Sequence, residues 1–96
     1  MQQEQSGIQG DIDKAAAILK EAGAAEVYLF GSCAQGKARS DSDLDLAVRG
    51  LAPERFFRAM GQVSLAVSRP IDLIDLDEKN VFTDYLRRKG QLRRVA

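Results

Sequence analysis

Three aspartates and a Gly-Ser step carry the chemistry open to this sequence. Gly31-Ser32 is followed, after an interval of ten residues, by Asp43-Leu44-Asp45. The step closes one apolar run (Val27, Leu29, Phe30), and the acids open a second (Leu44, Leu46, Val48). Side chains on a strand alternate between its faces, so Asp43 and Asp45 project together while the three aliphatic residues turn to the core. Two carboxylates about 5 Å apart, at an effective dielectric of about 20, repel by about 3 kcal/mol. A divalent cation relieves that repulsion, and hard oxygen ligands suit Mg²⁺. A Gly-Ser step that opens a helical turn at a strand end offers backbone N–H groups and a hydroxyl to a phosphate.

Composition narrows the alternatives. The 96 residues suffice for one small core, and 14 basic against 14 acidic residues give no net charge. Direct nucleic-acid binding through a general polyanion-binding surface is therefore not expected. The sequence has no histidine, which removes Ser-His-Asp and Cys-His catalysis and disfavours zinc. Cys33 is the single cysteine; with no base to activate it, it reads as a packing residue in a reducing compartment. No apolar run approaches the ~18 residues of a membrane span, and the polar start MQQEQSGIQG is not a signal peptide, so a cytoplasmic protein is expected. The run Asp41-Ser42-Asp43-Leu44-Asp45 looks like the start of an EF-hand loop, but Leu46 stands where that loop needs Gly and Ala52 where it needs Glu.

Elements follow from periodicity. Residues 1–10 are expected to be a flexible N-terminus ahead of a domain spanning 11–96. A helix is expected over 11–22, capped by Asp11, with Ile12, Ala15, Ala16 and Leu19 inward and Gly23 at its end. A strand over 25–30 leads into a helical turn at 32–36 and an exposed crossing at 37–42. A second strand covers 44–49. Pro53 opens a helix over 53–68 that buries Phe56, Phe57, Met60, Val63 and Val67. Pro70 forces an extended start to a strand over 71–76. A last helix, 79–89, has Phe82, Tyr85 and Leu86 inward and ends at Gly90; residues 91–96 form a short edge strand or fray. The expected class is α/β (α+β), a small mixed sheet of three core strands with helices packed on it.

The third strand offers two further acids, Asp72 and Asp75, on opposite faces. With the first two strands antiparallel and the third parallel to the second through the 53–68 crossover, Ser32, Asp43, Asp45 and Asp72 meet at one sheet edge. Asp75 lies further along and points away, so Asp72 is chosen.

Gly-Ser, ten residues, Asp-x-Asp resembles the DNA polymerase β-like nucleotidyltransferase superfamily. The text Gly31-Ser32-Cys33-Ala34-Gln35-Gly36, with Ser42-Asp43-Leu44-Asp45-Leu46, looks like its smallest branch, the minimal nucleotidyltransferases (MNT). The resemblance covers about residues 15–85 and implies the polymerase β-like fold. It implies transfer of a nucleoside monophosphate, AMP from ATP, to a hydroxyl with Mg²⁺, two ions. Asp43, Asp45 and Asp72 would be metal ligands and catalytic acids, Asp72 also taking the acceptor proton. Gly31, Ser32, Gln35 and Arg39 would hold the nucleotide. Gln35 departs from the Arg common in the family, and Arg39 matches its basic position before Asp-Ser-Asp. The implied partner is a helical HEPN toxin modified on a tyrosine, which makes the chain an antitoxin; a homodimer is allowed when the chain is alone. The other readings are an antitoxin that acts by binding only, and the catalytic half of a two-protein enzyme for small hydroxylated molecules such as aminoglycosides. Lys37 and the basic end (Arg87, Arg88, Lys89, Arg93, Arg94) are equally suited to solvation and to contact with phosphate or partner.

Overall fold

The computed structural model describes residues 3–36, 43–89 and 92–96. The elements run α1 (Gln3–Glu21), β1 (Glu26–Leu29), α2 (Gly31–Ala34), β2 (Leu44–Arg49), α3 (Pro53–Ala66), β3 (Ile71–Asp75), α4 (Val81–Lys89) and β4 (Arg93–Arg94). The sheet order is β3-β2-β1-β4. β1 is antiparallel to β2 and β4, and β2 is parallel to β3. A parallel pair needs a crossover, which α3 supplies. The expected three-strand topology is therefore present, with β4 added beside β1.

The sheet is covered on both faces. Leu44, Leu46 and Val48 turn to the main core with Val27, Leu29 and Leu73, beneath Ile12, Ala15 and Leu19 of α1 and Ala59 and Val63 of α3. On the other face Phe30, Ala47 and Leu76 pack with Leu86 of α4. Asp45 shares this second face with Ala47, two residues on.

Several expectations are corrected. α1 begins at Gln3, eight residues before the expected start. Ile8 extends the stripe of Ile12, Ala15 and Leu19, and Gln9 donates to Asp13 one turn on at 2.9 Å. Asp11 is consequently no cap. It lies inside the helix, buried, and its Oδ2 accepts from Arg69 Nε at 2.8 Å and from Ser68 Oγ at 3.0 Å. Phe57 is not buried by α3, being 76% exposed, and Phe82 and Tyr85 are about half exposed; Leu86 faces inward from α4 as expected, together with Thr83. The expected crossing at 37–42 and the helix end at Gly90 lie outside the described residues.

Candidate active site

Asp45 sits in the second position of β2, directly opposite Asp72 of β3 in the parallel register. Asp43 precedes β2 by one residue, and the next N–H, that of Leu44, donates to Pro70 O at 2.9 Å. This bond ties the start of β2 to the start of β3, so the acids on both strands arrive at one sheet edge. Burial, and after it the charges of Asp72 and Asp43, push the Asp45 carboxyl above its ordinary value. Among the described residues no three His, Cys, Asp or Glu side chains already stand at metal-ligand spacing. The strand register sets Asp72 opposite Asp45, and Asp43 lies two positions before Asp45 in the chain.

Gly31 closes the site from above. Its φ is +66°, and a Cβ built there would lie 2.6 Å from Asp45 Oδ2. The turn from β1 into α2 therefore lies against the carboxylate, and a side chain at this position would need both a strained backbone and a displaced Asp45 carboxylate. Phe30 N donates to Asp45 O at 3.1 Å, which fixes the same strand end from the backbone. A Gly31→Ala substitution meets both a backbone penalty of about 1–2 kcal/mol and the Asp45 carboxylate. The expected outcome is a lower melting temperature with loss of nucleotide-dependent stabilisation, checked by thermal melts with and without Mg²⁺-ATP. A variant that melts and binds like the parent would contradict this contact.

The remaining candidates are placed as follows. Ser32 and Cys33 lie on α2. Gln35 follows α2 on an exposed turn, its N–H donating to Gly31 O at 3.3 Å. Arg39, Lys37 and Asp41 lie outside the described residues. Asp75 stands apart from the acid pair: it is opposite Val48 in the register, and its Oδ1 accepts from Asp77 N at 2.9 Å, forming the turn after β3. Sequence reasoning missed the Asp11–Ser68–Arg69 clamp, which holds the connection just before β3. A buried acid with partners some 58 positions away leaves no local signal.

With this geometry in view, the comparisons with known proteins are decisive about family. The family model "Polymerase beta, Nucleotidyltransferase" matches residues 13–92. The chain belongs to this nucleotidyltransferase family. No curated protein matches the sequence. Among solved structures, the fold is similar to a chain of a toxin–antitoxin complex with AMP-PNP: TM-score 0.66, 24% identity, 88% of this chain and 69% of that one covered. It is similar to a chain of a mutant MntA–HpeT toxin–antitoxin complex, with TM-score 0.68, 24% identity and coverages of 88% and 70%. A third neighbour comes from a tri-AMPylated Shewanella oneidensis HEPN toxin in complex with MNT antitoxin, with TM-score 0.64, 21% identity and coverages of 90% and 69%. The polymerase β-like fold expected from the motif is the fold found. No helix among the described residues is long and apolar enough to cross a membrane.

Proposed function

We propose that this nucleotidyltransferase moves AMP from ATP to a hydroxyl of a HEPN-type protein partner, a tyrosine, and so acts as the antitoxin of a toxin–antitoxin pair. The observation that carries the reading is the register pairing of Asp45 with Asp72 beneath the Gly31 turn. The neighbours with AMP-PNP and with an AMPylated toxin support the donor and the partner class.

The residues fit a divalent cation. The donors are carboxylate oxygens, and the Asp45 carboxyl is raised first by its burial and then by the like charges of Asp72 and Asp43, a repulsion that a cation relieves. Asp43, Asp45 and Asp72 would hold Mg²⁺, which when bound neutralises charge on the triphosphate and on departing pyrophosphate. The chain's own groups do the rest. The Gly31-Ser32 turn and Gln35 orient the phosphates, and Asp72 accepts the proton of the attacking hydroxyl. The hydroxyl oxygen bonds to the α-phosphorus, the α–β bridging P–O bond breaks, and pyrophosphate leaves with its electron pair. Placement and charge stabilisation supply the acceleration, without a covalent enzyme intermediate.

Mixing the chain with labelled ATP, Mg²⁺ and the helical protein of the adjacent reading frame tests this. Intact-mass spectrometry should show the partner gaining steps of about 329 Da, the mass of an AMP group in phosphoryl-transfer chemistry. A second reading, inhibition by binding alone, is favoured by Gln35 in place of the family's Arg. It predicts complex formation with no mass gain. Rapid modification of an aminoglycoside by the chain alone would overturn both.

A further inference from the structure

α3 and α4 leave a groove beside β3, the free edge of the sheet. It encloses about 530 Å³, and Phe56, Phe57, Met60, Leu73, Ile74 and Phe82 give it apolar walls. Among the described residues, its charged lining is Asp75 and Glu78, both acidic. Phe57 and Phe82 are substantially exposed, where aromatic residues on a domain of this size are ordinarily covered. Two of the groove's residues adjoin the chain segments that carry the candidate site. The Phe82 ring meets Phe30 edge-on at 5.9 Å between centroids, and Phe30 is the residue that leads into Gly31. Leu73, in its wall, is the residue after Asp72.

We propose that this groove is where the acceptor protein docks, through an amphipathic segment with an apolar stripe flanked by Lys or Arg. Charge decides the occupant. Two copies of this chain facing each other across the groove would set Asp75 and Glu78 against their own copies, a like-charge juxtaposition that disfavours pairing. Polyanions are repelled for the same reason. A cationic amphipathic segment buries its stripe against Phe57 and Phe82 and pairs its charges with Asp75 and Glu78. The docked segment lies beside β3, the strand that also carries Asp72. The proposal rests on the reading of an AMP-accepting protein partner given above.

The test titrates the chain with the purified helical protein of the adjacent reading frame in a calorimeter, at low and high salt. Phe57→Ser and Glu78→Lys should each weaken binding about tenfold or more, with Glu78→Lys also reducing the salt dependence. Leu65→Ser, on the same helix and 90% exposed but outside the groove, should bind like the parent. All three should retain Mg²⁺-ATP binding, which shows that they are folded. Parental affinity in both groove variants, tighter binding by Glu78→Lys, no binding by the parent, or self-association of the parent that Phe57→Ser abolishes would each overturn the proposal. Groove-dependent binding without a mass gain on the partner would overturn the transferase reading alone. Mass gain with unaffected groove variants would overturn the groove alone.

Discussion

Asp72→Asn will lower AMP transfer by about 10³-fold, within the range that general acid–base catalysis supplies, while Asp75→Asn will retain most of it. The two acids share a strand of five residues, and their environments differ in every respect that matters. Asp72 is exposed and directly opposite Asp45, whose carboxyl it helps to push up. Asp75 is three positions on, about 10 Å away at strand rise, and on the other face. Its carboxylate already serves the backbone, accepting the Asp77 N–H, while its carbonyl accepts the Glu78 N–H at 3.2 Å. Asp75→Asn keeps an acceptor oxygen for that turn, so the stability loss should stay near about 1 kcal/mol, the usual worth of one hydrogen bond. Asp72→Asn removes a charge from a mutually repelling group and should leave the metal-free fold as stable as the parent or more so. Label transfer to the partner, measured beside thermal melts of each variant, separates the two. Equal activity losses, or loss in Asp75→Asn alone, would show that the strand faces the other way.

That contrast was open to reading from the sequence because strand parity is a local property. Alternation in Leu44–Val48 and in Ile71–Asp75 fixes which acids share a face, and the Pro53–Ala66 crossover fixes the parallel pairing. Gly31 was legible as a turn residue. Its second reason, the 2.6 Å approach of an added Cβ to Asp45 Oδ2, is tertiary and appears only when β1 and β2 are paired. The start of α1 was placed at Asp11 because an aspartate before an apolar stripe has the type of an N-cap. Burial of Ile12, Ala15 and Leu19 holds the helix, and Ile8 continues their stripe upstream. Phe57, Phe82 and Tyr85 were assigned to the core by spacing alone. Val63 and Leu86 are inward as expected, joined by the smaller Ala59 and Thr83, and helical periodicity cannot say which flank of a broad stripe the sheet will cover. For the tail, the sequence left an edge strand and a frayed end both open, and the structure has the edge strand. Arg93 and Arg94 are strand residues because the tail pairs with β1, with Val95 N donating to Val27 O at 2.8 Å and Val27 N to Ala96 O at 3.0 Å.

Asp11→Ala should cost about 3 kcal/mol, the lower end of what removing one partner from a buried ion pair does. The side chains of Asp11 and Arg69 are 6% and 7% exposed, and Asp11 Oδ2 also accepts from Ser68 Oγ and, at 3.4 Å, from Ser68 N. Burial alone would raise the Asp11 carboxyl, but the hydrogen bonds from Arg69 and Ser68 and the Arg69 charge outweigh it and hold the carboxyl below its ordinary 3.8. The sign of the pH dependence follows. An acid whose folded pKa is depressed contributes stability that is fully present above the unfolded value and is lost as pH falls through the folded one. Chemical denaturation of the parent should therefore show a stability loss beginning near pH 4 and growing below it, a component that Asp11→Ala and Asp11→Asn both lack. Because Ser68 and Arg69 lead through Pro70 into β3, and Pro70 O receives the Leu44 N–H, loosening this clamp should also reach the active site. Asp11→Asn, which preserves an acceptor for Ser68, should therefore keep more Mg²⁺-ATP stabilisation than Asp11→Ala at equal distance from each variant's own melting temperature. Replacing both partners, Asp11→Leu with Arg69→Met, should recover much of the lost stability, since a well-packed apolar pair avoids the desolvation of two charges. A single variant as stable as the parent at pH 7, or an unchanged acid slope in Asp11→Asn, would mean that the ion pair contributes nothing to holding α1 against the entry to β3.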